Sequence, residues 1–200
     1  MKKIKPTILK GILFTTASIV MLSITSCQNN MDAKDTKETA EEHNDAKFSN
    51  TGEGGAKFLV SAAEFSLEEI ELGQLAQKNS AMPDVIALGK MMEEDHTKAL
   101  NDLKALAAQK QISIPATITD SGQNAFDNLK DKTGSDFDND YCDMMVKGHK
   151  DAIGKFEKVS TNTEDADIQS WATIMLSSLR THLDHAITCQ EKCAQKKSKS

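Results

Sequence analysis

The stretch VIALGKMMEEDHTKALNDLKAL, residues 85–106, decides the fold. Val85, Leu88, Met92, His96, Ala99, Leu103 and Leu106 recur three or four apart, which places them on one face of an α-helix. That face is apolar except for His96. The same period runs outward in both directions. Upstream, beyond a turn around Ser80–Pro83, Phe58, Ala62, Phe65, Glu69, Leu72 and Ala76 make an earlier stripe. Downstream, the stretch Gln111–Thr119 with Pro115 breaks the period, and a short helix from about Gly122 to Asp131 follows. Gly134 ends it, and Ser135 with Asp138 reads as a capping-box start. Phe137, Tyr141, Met145, His149, Ala152, Phe156 and Val159 form the third stripe. After a polar turn at Thr161–Asp165, Trp171, Met175, Leu179, His182, Ala186 and Cys189 form the fourth. No strand-like alternation appears anywhere.

The expected fold is therefore all-α. Four long helices with short outer connections predict a four-helix bundle of two antiparallel hairpins. The middle connection of about 25 residues, carrying the short extra helix, can cross the bundle as in ferritin-like topology. An up-down-up-down bundle with a decorated second loop is the alternative.

Composition agrees with helix. In 200 residues there are 3 Pro and 10 Gly against 9 Met, with 38% hydrophobic and 27% charged residues. That is one domain plus a tail. A formal charge of -6, with one Trp and one Tyr, excludes a nucleic-acid binder built on base stacking.

The N-terminus is a targeting segment. Lys2, Lys3, Lys5 and Lys10 precede an apolar run from Gly11 to about Ile24, and Thr25 and Ser26 lead into Cys27. The run is shorter than the roughly 20 residues that span a bilayer. It reads as a secretory signal over residues 1–26, with small residues placed as in a bacterial lipobox. Cys27 is then the acylated first residue of the mature chain, and several acyl chains hold it at a membrane; an uncleaved anchor or an ordinary secretory signal with a free Cys is the alternative. A lipid-anchored envelope protein, at the outer rather than the inner membrane, is the expected location. Residues 27–55 are polar, mixed in charge and without period, so a flexible tether is expected, with His43 a solvated residue. The bundle is expected over 56–195, with a basic tail at 196–200.

Four segments resemble one known family. They are Glu69-Ile-Glu-Leu-Gly-Gln-Leu-Ala76, Ala87-Leu-Gly-Lys-Met-Met-Glu-Glu-Asp-His96, Phe137-Asp-Asn-Asp-Tyr141 with His149, and Trp171-Ala-Thr-Ile-Met-Leu176 through His182-Leu183. The family is the domain of unknown function numbered 4142, outer-membrane or lipid-anchored bacterial proteins of the ferritin-like superfamily. The resemblance covers about residues 56–190. Where the family usually carries Leu-Pro ahead of the last His, this chain has Leu176-Ser177. The resemblance implies fold and envelope location, and it implies no activity.

Each stripe holds one polar intruder: Glu69, His96, His149 and His182. A lone core His is ordinarily a hydrogen-bonded packing residue, but one intruder per helix asks for shared partners. Bundle cores hold metals through facing side chains. Glu93 lies three residues before His96, giving a single Glu-x-x-His. A di-iron carboxylate centre needs two such pairs, and Leu179 stands where the second Glu would be. The candidate ligands for a divalent transition metal are thus Glu69, Glu93, His96, His149 and His182.

Counting outward from the first turn, centred near Ala81, puts Glu69 and Glu93 at one height with His96 a turn away. Counting from a second turn centred near Asn162 sets His149 against Met175, about seven residues or ~10 Å from His182. The compact expectation is Glu69, Glu93, His96 and His149, with His182 apart. Imidazole with carboxylate suits Zn, Fe, Ni or Cu alike.

Other chemistry is thin. There is no haem-attachment motif, phosphate loop or nucleophile elbow, and no nucleophile–base pair for a hydrolase. Met91, Met92, Met144 and Met145 read as flexible core filler, with copper binding the alternative. Cys142, Cys189 and Cys193 read as packed thiols, with a Cys142–Cys189 bridge the alternative. The first functional reading is a non-catalytic envelope lipoprotein with a binding or protective role. The alternative is a metal-binding or redox bundle.

Overall fold

The computed structural model describes residues 35–48 and 52–197. Among them are six helices and no strand: α1 Thr36–Lys47, α2 Glu53–Asn79, α3 Pro83–Lys110, α4 Asp120–Leu129, α5 Gly134–Asn162 and α6 Ala166–Lys197. No helix among the described residues is long and apolar enough to cross a membrane. The signal segment, Cys27 and Lys199 lie outside the described residues.

The four long helices form a ring. α2 pairs with α3 and α5 with α6 through the most extensive contacts, while α3 also packs on α6 and α2 on α5. Polar contacts at the two ends fix the directions. Lys110, the last residue of α3, pairs with Asp165 and Asp167 at the start of α6, at 2.8 and 2.6 Å. At the opposite end, Ser80 before α3 meets Asp138 at the start of α5, and Lys192 late in α6 pairs with Asp84 early in α3. α3 and α5 therefore run the same way. The chain between them must travel the length of the bundle, with α4 laid against α2 and α5.

α2 and α3 approach closely because glycines face each other. A Cβ on Gly73 would stand 2.6 Å from the Gly89 carbonyl oxygen, and one on Gly89 would stand 2.7 Å from Ala76 Cβ.

The apolar core comes in two blocks. One contains Leu59, Leu103, Phe156, Ala172 and Leu179; the other contains Leu72, Val85, Met92, Phe137, Tyr141 and Met145. Glu69, His96, His149 and His182 fall in the sequence gaps between the two blocks on all four helices, and all are buried. The bundle thus carries a polar layer at mid-height.

The expected flexible tether is corrected in part. Residues 36–47 are helical, with Asp35 capping α1 by accepting from the Lys37 amide at 2.9 Å, and α2 starts at Glu53. α1 is held by polar contacts. Asn44 donates to the Ser113 carbonyl and accepts from the Ser113 amide, at 2.7 and 2.8 Å, and Lys37 pairs with Glu64 at 2.8 Å. Ala40 is its only buried apolar residue, which is why an apolar period does not reveal it. His43 is exposed as expected. Two smaller differences follow the same logic. Asp138 is taken by Ser80 instead of a capping box, and Lys196 belongs to α6 instead of a tail.

Candidate metal centre

α3, α5 and α6 each bring one imidazole into the polar layer. One ring nitrogen from each of His96, His149 and His182 lies within 4.8 Å of the others, and all three residues are buried. Ring centroids stand 5.7 Å apart for His96 and His149, 5.2 Å for His96 and His182, and 5.3 Å for His149 and His182. Phe65 of α2 closes one side, edge-on to His96 at 5.2 Å and to His149 at 5.4 Å.

Two of the rings are oriented from outside. His149 Nδ1 donates to the Met145 carbonyl one turn back at 2.9 Å, leaving Nε2 without a partner. His182 Nε2 is 2.9 Å from Asp95 Oδ2, leaving Nδ1 without one. A carbonyl or carboxylate holding one nitrogen protonated makes the other a lone-pair donor, which is how ligating histidines are set in metal sites. His96 has no partner on either nitrogen.

Electrostatics keep these rings neutral. Burial pushes His96 well below the ordinary histidine value, and the neighbouring His149 and His182 push it further. Burial and then His182 bring His149 down to about 4, against the raising effect of the Met145 carbonyl. Burial lowers His182 as well, with Asp95 opposing. The layer therefore holds three neutral imidazoles with lone pairs to spare. Each unpartnered buried polar atom costs roughly 1–3 kcal/mol, so a cation between them would offset a real deficit. Closed tetrahedral shells with ~2.1 Å bonds place nitrogens about 3.4 Å apart. The present cluster is somewhat more open.

The carboxylates stand elsewhere. Glu69 Oε1 is 3.9 Å from His149 Nδ1, the nitrogen that already donates to the Met145 carbonyl. Burial, and then the adjacent Glu68, push the Glu69 carboxyl well above the usual range. Glu68, half-buried one position back on α2, is raised to about 7 by burial and then by Glu64.

Glu93 is the correction to the expected cluster. Its two oxygens accept from Gln74 and Gln77 of α2 at 2.9 and 2.7 Å, on the rim of the α2–α3 contact. Its height matches Glu69, but its azimuth turns it out of the layer. His182 is the converse correction. α5 ends at Asn162 and α6 begins at Ala166, so the turn centres on Glu164 and not Asn162. His149 then lies level with Leu179, three residues or ~4.5 Å from His182. Asp95 escaped the sequence reading. It precedes His96, lies off the apolar stripe, and matters only because α3 borders α6.

A family model described as Domain of unknown function (DUF4142) matches residues 37–188. The chain belongs to that family. No significant match was found among curated proteins or among solved structures. The matched span of this DUF4142 chain takes in α2, α3 and α5 whole, α6 as far as Thr188, and α1 apart from its first residue.

Proposed function

We propose that this chain is a lipid-anchored protein of the bacterial envelope, outer membrane in preference to inner, whose ferritin-like bundle binds one transition-metal ion through His96, His149 and His182. The observation that carries the metal reading is that one ring nitrogen from each of three buried histidines lies within 4.8 Å of the others, while each ring keeps a nitrogen without a hydrogen-bond partner and two rings are tautomer-set by Met145 and Asp95. A packing role for these histidines would leave those nitrogens unpaired. Neutral imidazoles suit Zn, Fe, Ni or Cu. Three protein ligands leave a coordination position for a small exogenous molecule.

The parallel run of α3 and α5, with a connection crossing the bundle's length, supports the ferritin-like description. The donor set departs from a di-iron carboxylate centre, since no carboxylate belongs to the cluster. The anchor rests on the basic signal and the small residues before Cys27.

Elemental analysis of tag-free protein after loading with divalent zinc or nickel tests the site. About one ion per chain is expected, lost in His96→Ala, His149→Ala and His182→Ala; substoichiometric metal in the wild type overturns it. For the anchor, Cys27→Ala should abolish incorporation of labelled fatty acid. Undiminished labelling refutes that part alone.

A further inference from the structure

A second cluster of metal-ligating side chains lies two turns from the histidines. Cys142 of α5 and Cys193 of α6 are both buried, with their sulfurs 3.8 Å apart. Cys193 Sγ also stands 3.6 Å from Met82 Sδ, at the cap of α3. Cys189, one turn back on α6, is buried beside Cys142 and interacts with its thiol. Four sulfurs from three segments, up to 111 residues apart in sequence, converge at one end of the bundle. On α5, Cys142 is seven residues or ~10 Å from His149, so the two clusters share no ligand.

We propose that Cys142, Cys193 and Met82, with Cys189 against Cys142, form a site for a monovalent copper ion. Sulfurs bonded at about 2.3 Å to one ion stand roughly 3.8–4.0 Å apart, depending on coordination number. The observed spacings of 3.6 and 3.8 Å already lie near that range. The donors are soft throughout. Thiolate with thioether selects copper(I), and the thioether is what separates this set from an ordinary zinc site. Harder groups nearby are engaged: Asp138 with Ser80, and Asp84 with Lys192. Val85, Phe137 and Tyr141 belong to the same core block and keep water away. The half-buried Met82 leaves a way in from the bundle end.

Binding is an exchange of protons for metal. Each thiol that ligates gives its proton to solvent as its sulfur bonds copper. The ion enters already monovalent, so no electron moves.

The test uses the reduced, full chain under anaerobic conditions with copper(I) supplied through a chromogenic chelator. The His182→Ala background removes the histidine centre from the measurement. One equivalent of copper, an ultraviolet thiolate-to-copper band and protection of the thiols from alkylation are expected there. Cys142→Ala and Cys193→Ala should lose the band. Met82→Leu should weaken binding by at least the ~10-fold that even an outer partner contributes. Melting temperatures confirm that each variant is folded. Absence of the band in folded protein, its persistence in Cys193→Ala, or preferential retention of zinc overturns the proposal, and leaves the histidine centre untouched.

Discussion

His182 Nε2 stands 2.9 Å from Asp95 Oδ2, which ties an imidazole buried in α6 to an α3 carboxylate that is 52% exposed. The residue next to His96 in sequence thus orients His182 in space. α3 supplies one ring of the cluster directly and sets the tautomer of another.

That pairing gives the first prediction. Asp95→Ala should leave the fold intact, because the carboxylate is half in solvent, yet weaken metal binding about 10–100-fold. Chelator competition measures it. An unchanged affinity would mean that His182 is held by packing alone.

Glu93 gives a prediction that separates height from azimuth. Its oxygens are taken up by Gln74 and Gln77, so Glu93→Gln should keep full metal stoichiometry. Elemental analysis beside His182→Ala, which should lose the ion, makes the comparison. The opposite pattern would restore the cluster expected from sequence counting.

The pH dependence of the metal-free protein is a contest between buried bases and buried acids. His149 is pushed down to about 4, so between pH 6.5 and 4 the unfolded chain binds a proton that the folded chain does not. Stability rises with pH across that window and is lost on acidification, by on the order of 3 kcal/mol for this residue. Glu68, raised to about 7, acts in reverse: the folded chain keeps a proton that the unfolded one releases, so stability falls as pH rises from 4.5 to 7. Glu68→Gln should therefore steepen the loss of stability between pH 6.5 and 4.5 relative to wild type. Urea unfolding at three pH values reads it, and parallel curves would contradict the assignment.

The α2–α3 seam predicts opposite signs for two glycine substitutions. Gly73→Ala forces a Cβ to 2.6 Å from a carbonyl oxygen and should cost about 1–3 kcal/mol. Gly154→Ala, on an exposed turn of α5 with nothing within 4 Å, should stabilise by about 0.5–1 kcal/mol. Denaturant midpoints decide both.

The sequence by itself determined the four long helices and the polar residue each one buries. A 3.6-residue period is a local property, and Glu69, His96, His149 and His182 interrupt it visibly. It did not show α1, whose attachment through Asn44 and Lys37 is polar and leaves no apolar period. Which intruders meet was a tertiary matter. Moving the centre of the second turn from Asn162 to Glu164 changes the offset between His149 and His182 by four residues, enough to bring His182 into the cluster. Glu93 and Asp95 both lie within the three residues before His96, and only the neighbours of α3 distinguish them. The side of α3 toward α2 gives Glu93 to glutamines, and the side toward α6 gives Asp95 to a histidine. A helix fixes the angle between its own side chains. What each angle faces is fixed by the helices packed around it.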